Sequence, residues 1–353
     1  MEETNDSPNS AASRQHPLLQ RIWHLLGRLR TVAAKVLIGA STFLYLVVII
    51  CFAAKWDIVT AVTIFPFWMW ALAGGAMTYV AWSFVNHKAP LILLFLWILT
   101  TAFVADETRP LLRFSDRLEK KHPVEFDGRK VLRVITLNCS KRNTEALEEV
   151  KDYNPDVVLF QEAPANRYAE ELAKSLYGDK GKAASNYFCG VVARGDLKRI
   201  AGSGKPPYQQ VILTLQDGTE IDLFSIHLEH AVTRWDLWRP SAWRDYRKNR
   251  VARRDQLGLI LTQYWKTGST RPALIAGDFN APPSDAIFDQ LRPEFEDSFK
   301  KAGKGLGNTF HNRLPAIRID QIWSRNGLEP LNARVVPTKN SDHRMVVCDF
   351  LVP

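Results

Sequence analysis

The sequence predicts a layered α/β or α+β domain behind three transmembrane helices, and three observations predict it. Residues 1–105 hold three uncharged stretches, Val36 to Ala54, Ile58 to Val85 and Ala89 to Ala105. From Val131 onward, short β-branched and aromatic runs alternate with helical patterns, which implies strands joined by both hairpins and crossover helices. Four of those runs stop at, or start from, Asn138, Glu162, Asp278 and the pair Asp342-His343. A strand that ends on a polar side chain delivers it to a rim.

Residues 1 to about 20 are polar, rich in Ser, Asn and Pro, and read as disordered. Leu18 to Lys35 mixes apolar residues with Arg21, Arg28 and Arg30, the pattern of an amphipathic surface helix or of a flexible basic tail. Residues 1–35 form the tail and 36–105 the transmembrane region, because a bilayer core needs roughly 17–25 apolar residues per helix. The long basic leader and the further spans argue against a cleaved signal peptide. Basic residues divide six against six between the two sides. The first helix, however, has five before it and one after it, which places the N-terminus in the cytoplasm and the catalytic domain outside. No acidic residue lies between Ile58 and Val85, so the spans read as an anchor rather than a transport path. Residues 106–130 are a charged linker with Pro110 and Pro123.

Within 131–353, strands are expected at Val131–Leu137, Asp156–Phe160, Tyr187–Arg194, Gln210–Leu215, Glu220–His227, Ala273–Asp278, Ile317–Ser324, Leu331–Pro337 and Met345–Val352. Helices are expected at Asn143–Asp152, Ala165–Tyr177, Asp245–Trp265 and Ser284–Leu291. Cys51 lies in a span, and Cys139, Cys189 and Cys348 lack metal-site spacing and read as buried free thiols. The net charge of +9 favours an anionic partner without choosing among nucleic acid, phosphorylated small molecules and a membrane surface.

Magnesium takes oxygen ligands and keeps several waters, so one or two carboxylates suffice beside substrate phosphate. Glu162 and Asp342 are the candidate ligands. Asp278 is the candidate to orient or deprotonate water, and Asn280 to hold phosphate or nucleophile through its amide. Taken alone, an Asp-x-Asn turn is more often a cap. The series Leu137-Asn138, Gln161-Glu162, Ile226-His227, Gly277-Asp278-Phe279-Asn280, Arg318-Ile319-Asp320-Gln321-Ile322 and Ser341-Asp342-His343 decides the matter. It resembles the endonuclease/exonuclease/phosphatase superfamily over about residues 130–353, with the motifs in family order.

That resemblance implies a four-layer α/β/β/α sandwich, two packed mixed sheets with helices outside, and Mg2+ or Mn2+ as the cofactor. It makes Asp320 the partner of His343, His227 a phosphate contact and leaving-group acid, and Asn138 an amide that positions metal ligand or phosphate.

The stretch Arg234 to Arg254 carries eight basic residues against two acidic, with Trp235, Trp238 and Trp243 among them. Trp and Arg together suit a lipid headgroup region or single-stranded nucleic acid, so Arg234, Trp235 and Trp238 are candidate substrate contacts. A solvated helix start whose indoles pack on the domain has the same composition. The reading is a multi-pass membrane phosphohydrolase acting on a phosphate ester or pyrophosphate, lipid-linked in one version. The alternative is a membrane-anchored nuclease. A catalytically dead scaffold would show broken motifs, and none is broken. No obligate protein partner is implied.

Overall fold

The structure, a computed structural model, describes residues 17–85, 87–113, 124–162 and 164–353. The polar tail over 1–16 and the linker stretch 114–123 lie outside the described residues. Two compact units emerge: residues 1–48 with 69–101, and residues 49–68 with 102–353.

The N-terminal region contains α1 (Pro17–Ala54), α2 (Thr60–Thr63), α3 (Phe67–Val85), α4 (Lys88–Val104) and α5 (Thr108–Leu112). The basic stretch and the first span, expected as separate elements, form the single helix α1, since no proline interrupts Pro17 to Ala54 after its first residue. In the first unit Ser41 Oγ donates to the Gly74 carbonyl at 2.9 Å and lies 2.8 Å from Thr78 Oγ1. Trp97 Nε1 donates to Ser41 Oγ at 3.0 Å, and Tyr45 Oη lies 2.7 Å from Thr100 Oγ1. A Cβ at Gly74 would sit 2.2 Å from the Trp97 ring, so only glycine admits this approach. Polar groups thus face inward, while Phe43, Leu72, Ile92 and Ile98 are exposed.

The expected three spans resolve unequally. Gln20–Ala54 is long and apolar enough to cross a membrane. Phe67–Val85 qualifies together with Asp57–Thr63, from which it is bent by 65°; Pro66 stands at the break. Lys88–Val104 is apolar but has 17 residues, about 26 Å of helix against a hydrocarbon core of about 30 Å.

The second unit continues with β1 (Glu125–Phe126), β2 (Arg129–Asn138), α6 (Thr144–Glu148), β3 (Val157–Gln161), α7 (Asn166–Tyr177), β4 (Gly181–Ser185), β5 (Cys189–Arg194) and β6 (Asp196–Gly204). Then come β7 (Pro207–Thr214), β8 (Glu220–His227), α8 (Pro240–Lys266), β9 (Ala273–Asp278), β10 (Glu296–Asp297), α9 (Ser298–Ala302), β11 (Asp320–Arg325), β12 (Glu329–Val336) and β13 (Met345–Leu351).

One sheet runs β12-β13-β2-β3-β5-β4 with β1 beside β2, the other β10-β11-β9-β8-β7-β6. Each is mixed through one parallel pair, β2 with β3 and β8 with β9. Leu132, Val134, Val157 and Leu159 of the first sheet pack against Val211, Leu223, Leu274 and Ile322 of the second. The far faces are covered by Leu147 of α6 and Leu172 of α7 on one side, and by Leu257 and Ile260 of α8 on the other. Helix, sheet, sheet, helix is the expected order of layers, and burial of both faces explains why the inner strands read as continuous apolar runs.

Two of the unexpected strands sit at sheet edges. Strands β4 and β6 close the two sheets and are polar enough to leave no apolar alternation. The expected helix Ser284–Leu291 is a 3-10 turn over Ala286–Gln290, capped by Asp285 after the Pro282-Pro283 pair. Helix α8 starts at Pro240 rather than Asp245, with proline at its first turn where no donor is needed. All four cysteines are free and buried.

Candidate active site

The parallel pairs bring the tips together. Asn138 is in register with Gln161 across β2 and β3, and His227 with Asp278 across β8 and β9. Antiparallel β11 starts at Asp320, opposite Asp278. A buried polar layer joins the sheets beneath the tips: Gln161 Nε2 donates to Ser225 Oγ at 3.1 Å, and Ser225 Oγ to the Phe160 carbonyl at 2.9 Å.

Just above this layer, Asn138 Nδ2 donates to Asp278 Oδ2 at 3.0 Å and to Glu162 Oε1 at 3.3 Å, so one amide spans both sheets. The other Glu162 oxygen accepts the Lys141 amide at 2.5 Å. Glu162 takes φ +48, and Ser140, Lys141 and Arg142 all have positive φ, so the two tips are held in sparsely populated backbone. Gly277 has φ +145, and a Cβ there would meet the Ile226 carbonyl at 2.0 Å. Glycine is therefore required immediately before Asp278. Asn280 also has positive φ; its amide donates to Asp278 Oδ1 at 2.9 Å and its Nδ2 to the Leu228 carbonyl at 3.0 Å.

His343 Nδ1 lies 2.9 Å from Asp320 Oδ2, and both side chains are buried. Burial works against a charged imidazole, but the Asp320 carboxylate outweighs it and lifts His343 to about 10, with the proton on the ring. The other ring nitrogen, Nε2, is 3.9 Å from Asp278 Oδ2 and 4.0 Å from Asp342 Oδ1. Burial lowers the pKa of His227 against the pull of Asp278, leaving it neutral. Its Nε2, 3.7 Å from Asp278 Oδ2, has no hydrogen-bond partner among the described residues. Arg318, of the same motif as Asp320, makes a bidentate pair with buried Asp297 at 2.9 and 2.7 Å, and Thr309 Oγ1 accepts the amides of Ile319 and Asp320.

The structure therefore brings together Asn138, Glu162, His227, Asp278, Asn280, Asp320, Asp342 and His343. Arg234, Trp235 and Trp238 do not join them. The Arg234 guanidinium is engaged by Asp236, Asp245 and Ser241, which leaves it no free fork for phosphate. Trp235 packs against Phe65 at 5.2 Å, and Trp238 is 79% exposed. Sequence reasoning set His230 aside for want of a supporting motif, and it packs edge-on to His227 at 5.0 Å. It missed Asn312, whose amide donates to the Thr338 and Ser341 carbonyls and shapes the turn before Asp342. Neither carries a spacing signal, since both act through folded proximity.

A hard cation fits this donor set. Both Glu162 oxygens accept hydrogen bonds that aim the carboxylate and leave further lone pairs. Buried Asp320 Oδ1 is unpartnered among the described residues. Ligand atoms of Asp278, Asp320 and His343 lie within 4.8 Å of one another. In that trio the 2.9 Å contact ties Asp320 to His343 directly.

Two carboxylate-bearing sheets with a charged and a neutral imidazole between them suit a phosphoester hydrolase. The profile of the endonuclease/exonuclease/phosphatase family matches residues 135–343. The chain belongs to that family, a family of hydrolases acting on phosphate esters. Among solved structures it is similar to truncated TDP2 of Caenorhabditis elegans, at 17% identity over 63% of this chain and 98% of that one, TM-score 0.48. It is also similar to a mannosyl-6-phosphatase of Bacteroides thetaiotaomicron, at 15% identity over 63% and 100%, TM-score 0.49. A family protein of Bacteroides vulgatus gives 17% identity over 64% and 100%, TM-score 0.48. No curated protein sequence matches the chain.

Proposed function

We propose that the protein is a multi-pass, membrane-anchored, divalent-metal-dependent phosphohydrolase that cleaves a phosphate ester or pyrophosphate by in-line attack of water, with a lipid-linked pyrophosphate as substrate. The observation that carries this reading is the meeting of Glu162, Asp278 and the Asp320–His343 pair at one rim, bridged by the Asn138 amide. Glu162 and Asp342 would hold Mg2+ or Mn2+, which would supply positive charge to the phosphoryl oxygens. Asp278 takes or orients the proton of the attacking water, and Asn280 helps to hold phosphate. The His343 imidazolium, fixed by Asp320, faces the developing oxyanion, while neutral His227 waits with an unpartnered nitrogen for the leaving oxygen.

Anchoring rests on α1, on the apolar exterior of the first unit with its buried Ser41–Thr78–Trp97 hydrogen bonds, and on the compactness of residues 49–68 with the catalytic domain. The last point supports a topology in which the end of the first span and the domain share one side of the membrane. With the N-terminus inside, that side is extracytoplasmic. A nuclease reading has one observation of its own: the Arg142 guanidinium stacks 3.8 Å from the Tyr187 ring, a cation and an aromatic face beside the Glu162 tip.

Full-length protein in detergent, assayed with Mg2+ against polyprenyl pyrophosphate, phospholipid, inositol phosphate and supercoiled plasmid, separates the readings. Release of inorganic phosphate from the polyprenyl substrate is the expected result. Plasmid nicking without such release would shift the assignment to a nuclease.

A further inference from the structure

Between the first two apolar helices runs a short segment, Lys55 to Pro66, that belongs to the same compact unit as the catalytic domain. Its Ala61 and Ile64 form a buried cluster with Tyr246 of α8, and Phe65, Val232, Leu237 and Trp243 pack around it. At its centre lies Arg250, fully buried. The guanidinium donates to the Lys55 carbonyl at 3.1 Å, to the Trp56 carbonyl at 3.2 Å and to Thr63 Oγ1. Its remaining nitrogen, Nε, faces the buried Asp285 carboxylate at 3.2 Å. Asp285 in turn accepts the Ile287 amide at 3.1 Å, and its own amide donates to the Pro282 carbonyl at 2.9 Å. One turn along α8, buried Arg253 donates to the Asn280 carbonyl. The Arg253 Nε has no acceptor among the described residues.

A buried guanidinium costs much to desolvate and is retained where its donors are all engaged. Arg250 engages three of its acceptors on the inter-helix segment and one on the turn that follows the Asp278–Asn280 tip. We infer that residues 55–63 are a working part of the active site: Arg250 and Arg253 are positioning residues that lock the 280–287 turn, and with it Asn280 and Asp278, only when the inter-helix segment is docked. The inference rests on the phosphohydrolase reading for its activity readout, but its structural readout stands without it.

The test uses full-length protein in detergent with Mg2+, bis(p-nitrophenyl) phosphate as probe, and backbone hydrogen exchange on the same samples. Thr63→Val removes one acceptor while keeping shape. It is expected to lower kcat about tenfold with KM within about twofold, the pattern of a misplaced catalytic group. Exchange across 280–287 should quicken about tenfold while the central strands keep their protection. Glu329→Gln breaks the exposed pair of Glu329 with Arg129, 3.1 Å long and remote from the inter-helix segment in the chain, and should change neither readout.

Unchanged kcat and unchanged exchange in Thr63→Val would overturn the inference. So would exchange that rises uniformly over the domain, or an equal effect of Glu329→Gln, since either means general loosening. Should wild type hydrolyse no probe, the exchange result alone decides this inference, and the phosphohydrolase reading fails separately.

Discussion

Asp278→Asn is expected to lower kcat by about a thousandfold or more while the protein folds normally, because the substitution keeps shape and removes the proton acceptor. Asp278 sits where both sheets converge: Oδ2 accepts from Asn138, Oδ1 from the Asn280 amide, and Nε2 of both His227 and His343 lies within 4 Å. An asparagine oxygen can still accept one of these bonds, so the tip geometry largely survives. What disappears is the negative charge between two imidazoles and its capacity to take a proton. Steady-state phosphate release at saturating Mg2+, alongside a thermal melt of the same sample, checks the expectation. A melt lowered in proportion to activity would point to folding instead.

Asp320→Asn is expected to cost about a thousandfold to ten-thousandfold in kcat, by the logic of a carboxylate that orients and charges a catalytic imidazole. Its signature is in the pH profile. With Asp320 beside it at 2.9 Å, His343 is raised to about 10, so the imidazolium persists across neutrality. Asparagine leaves the opposing cost of burial unbalanced, and the alkaline limb of kcat should move from near 10 toward or below the usual histidine value. The sign for stability follows. The folded pKa lies above the unfolded value of about 6.5, so the pair's contribution is fully present below about 6.5 and is lost as pH rises through about 10. Unfolding measured at pH 6 and pH 9 should show wild type losing stability over that interval and Asp320→Asn losing little.

Much of the site was legible because buried strands end abruptly on polar residues. The apolar run up to Ala276, the obligatory Gly277 and then Asp278 could be read in one dimension, and so could Asn138, Glu162 and His343. The roles of Asp320 and His227 came from resemblance, and the register of β9 with β11 and with β8 puts both beside Asp278. Arg234 with Trp235 and Trp238 misled, since their composition fits a phosphate surface. The sequence does not show that Asp236 and Asp245 fold back onto the guanidinium, or that Phe65, from between the first two apolar helices, lies 5.2 Å from the Trp235 ring. Arg250 was hidden for the same reason: three of its four partners lie nearly two hundred residues away. The edge strands β4 and β6 escaped because an edge needs no apolar alternation.

The convergence of the two sheets on a divalent ion is tested most directly by anomalous scattering from crystals soaked in Mn2+. The expected result is an anomalous peak about 2.0–2.3 Å from a Glu162 oxygen, roughly the oxygen-ligand distance of a small divalent cation, and its loss in Glu162→Ala. A peak held by Asp320 and His343 alone, or none at the strand tips at saturating Mn2+, would contradict it.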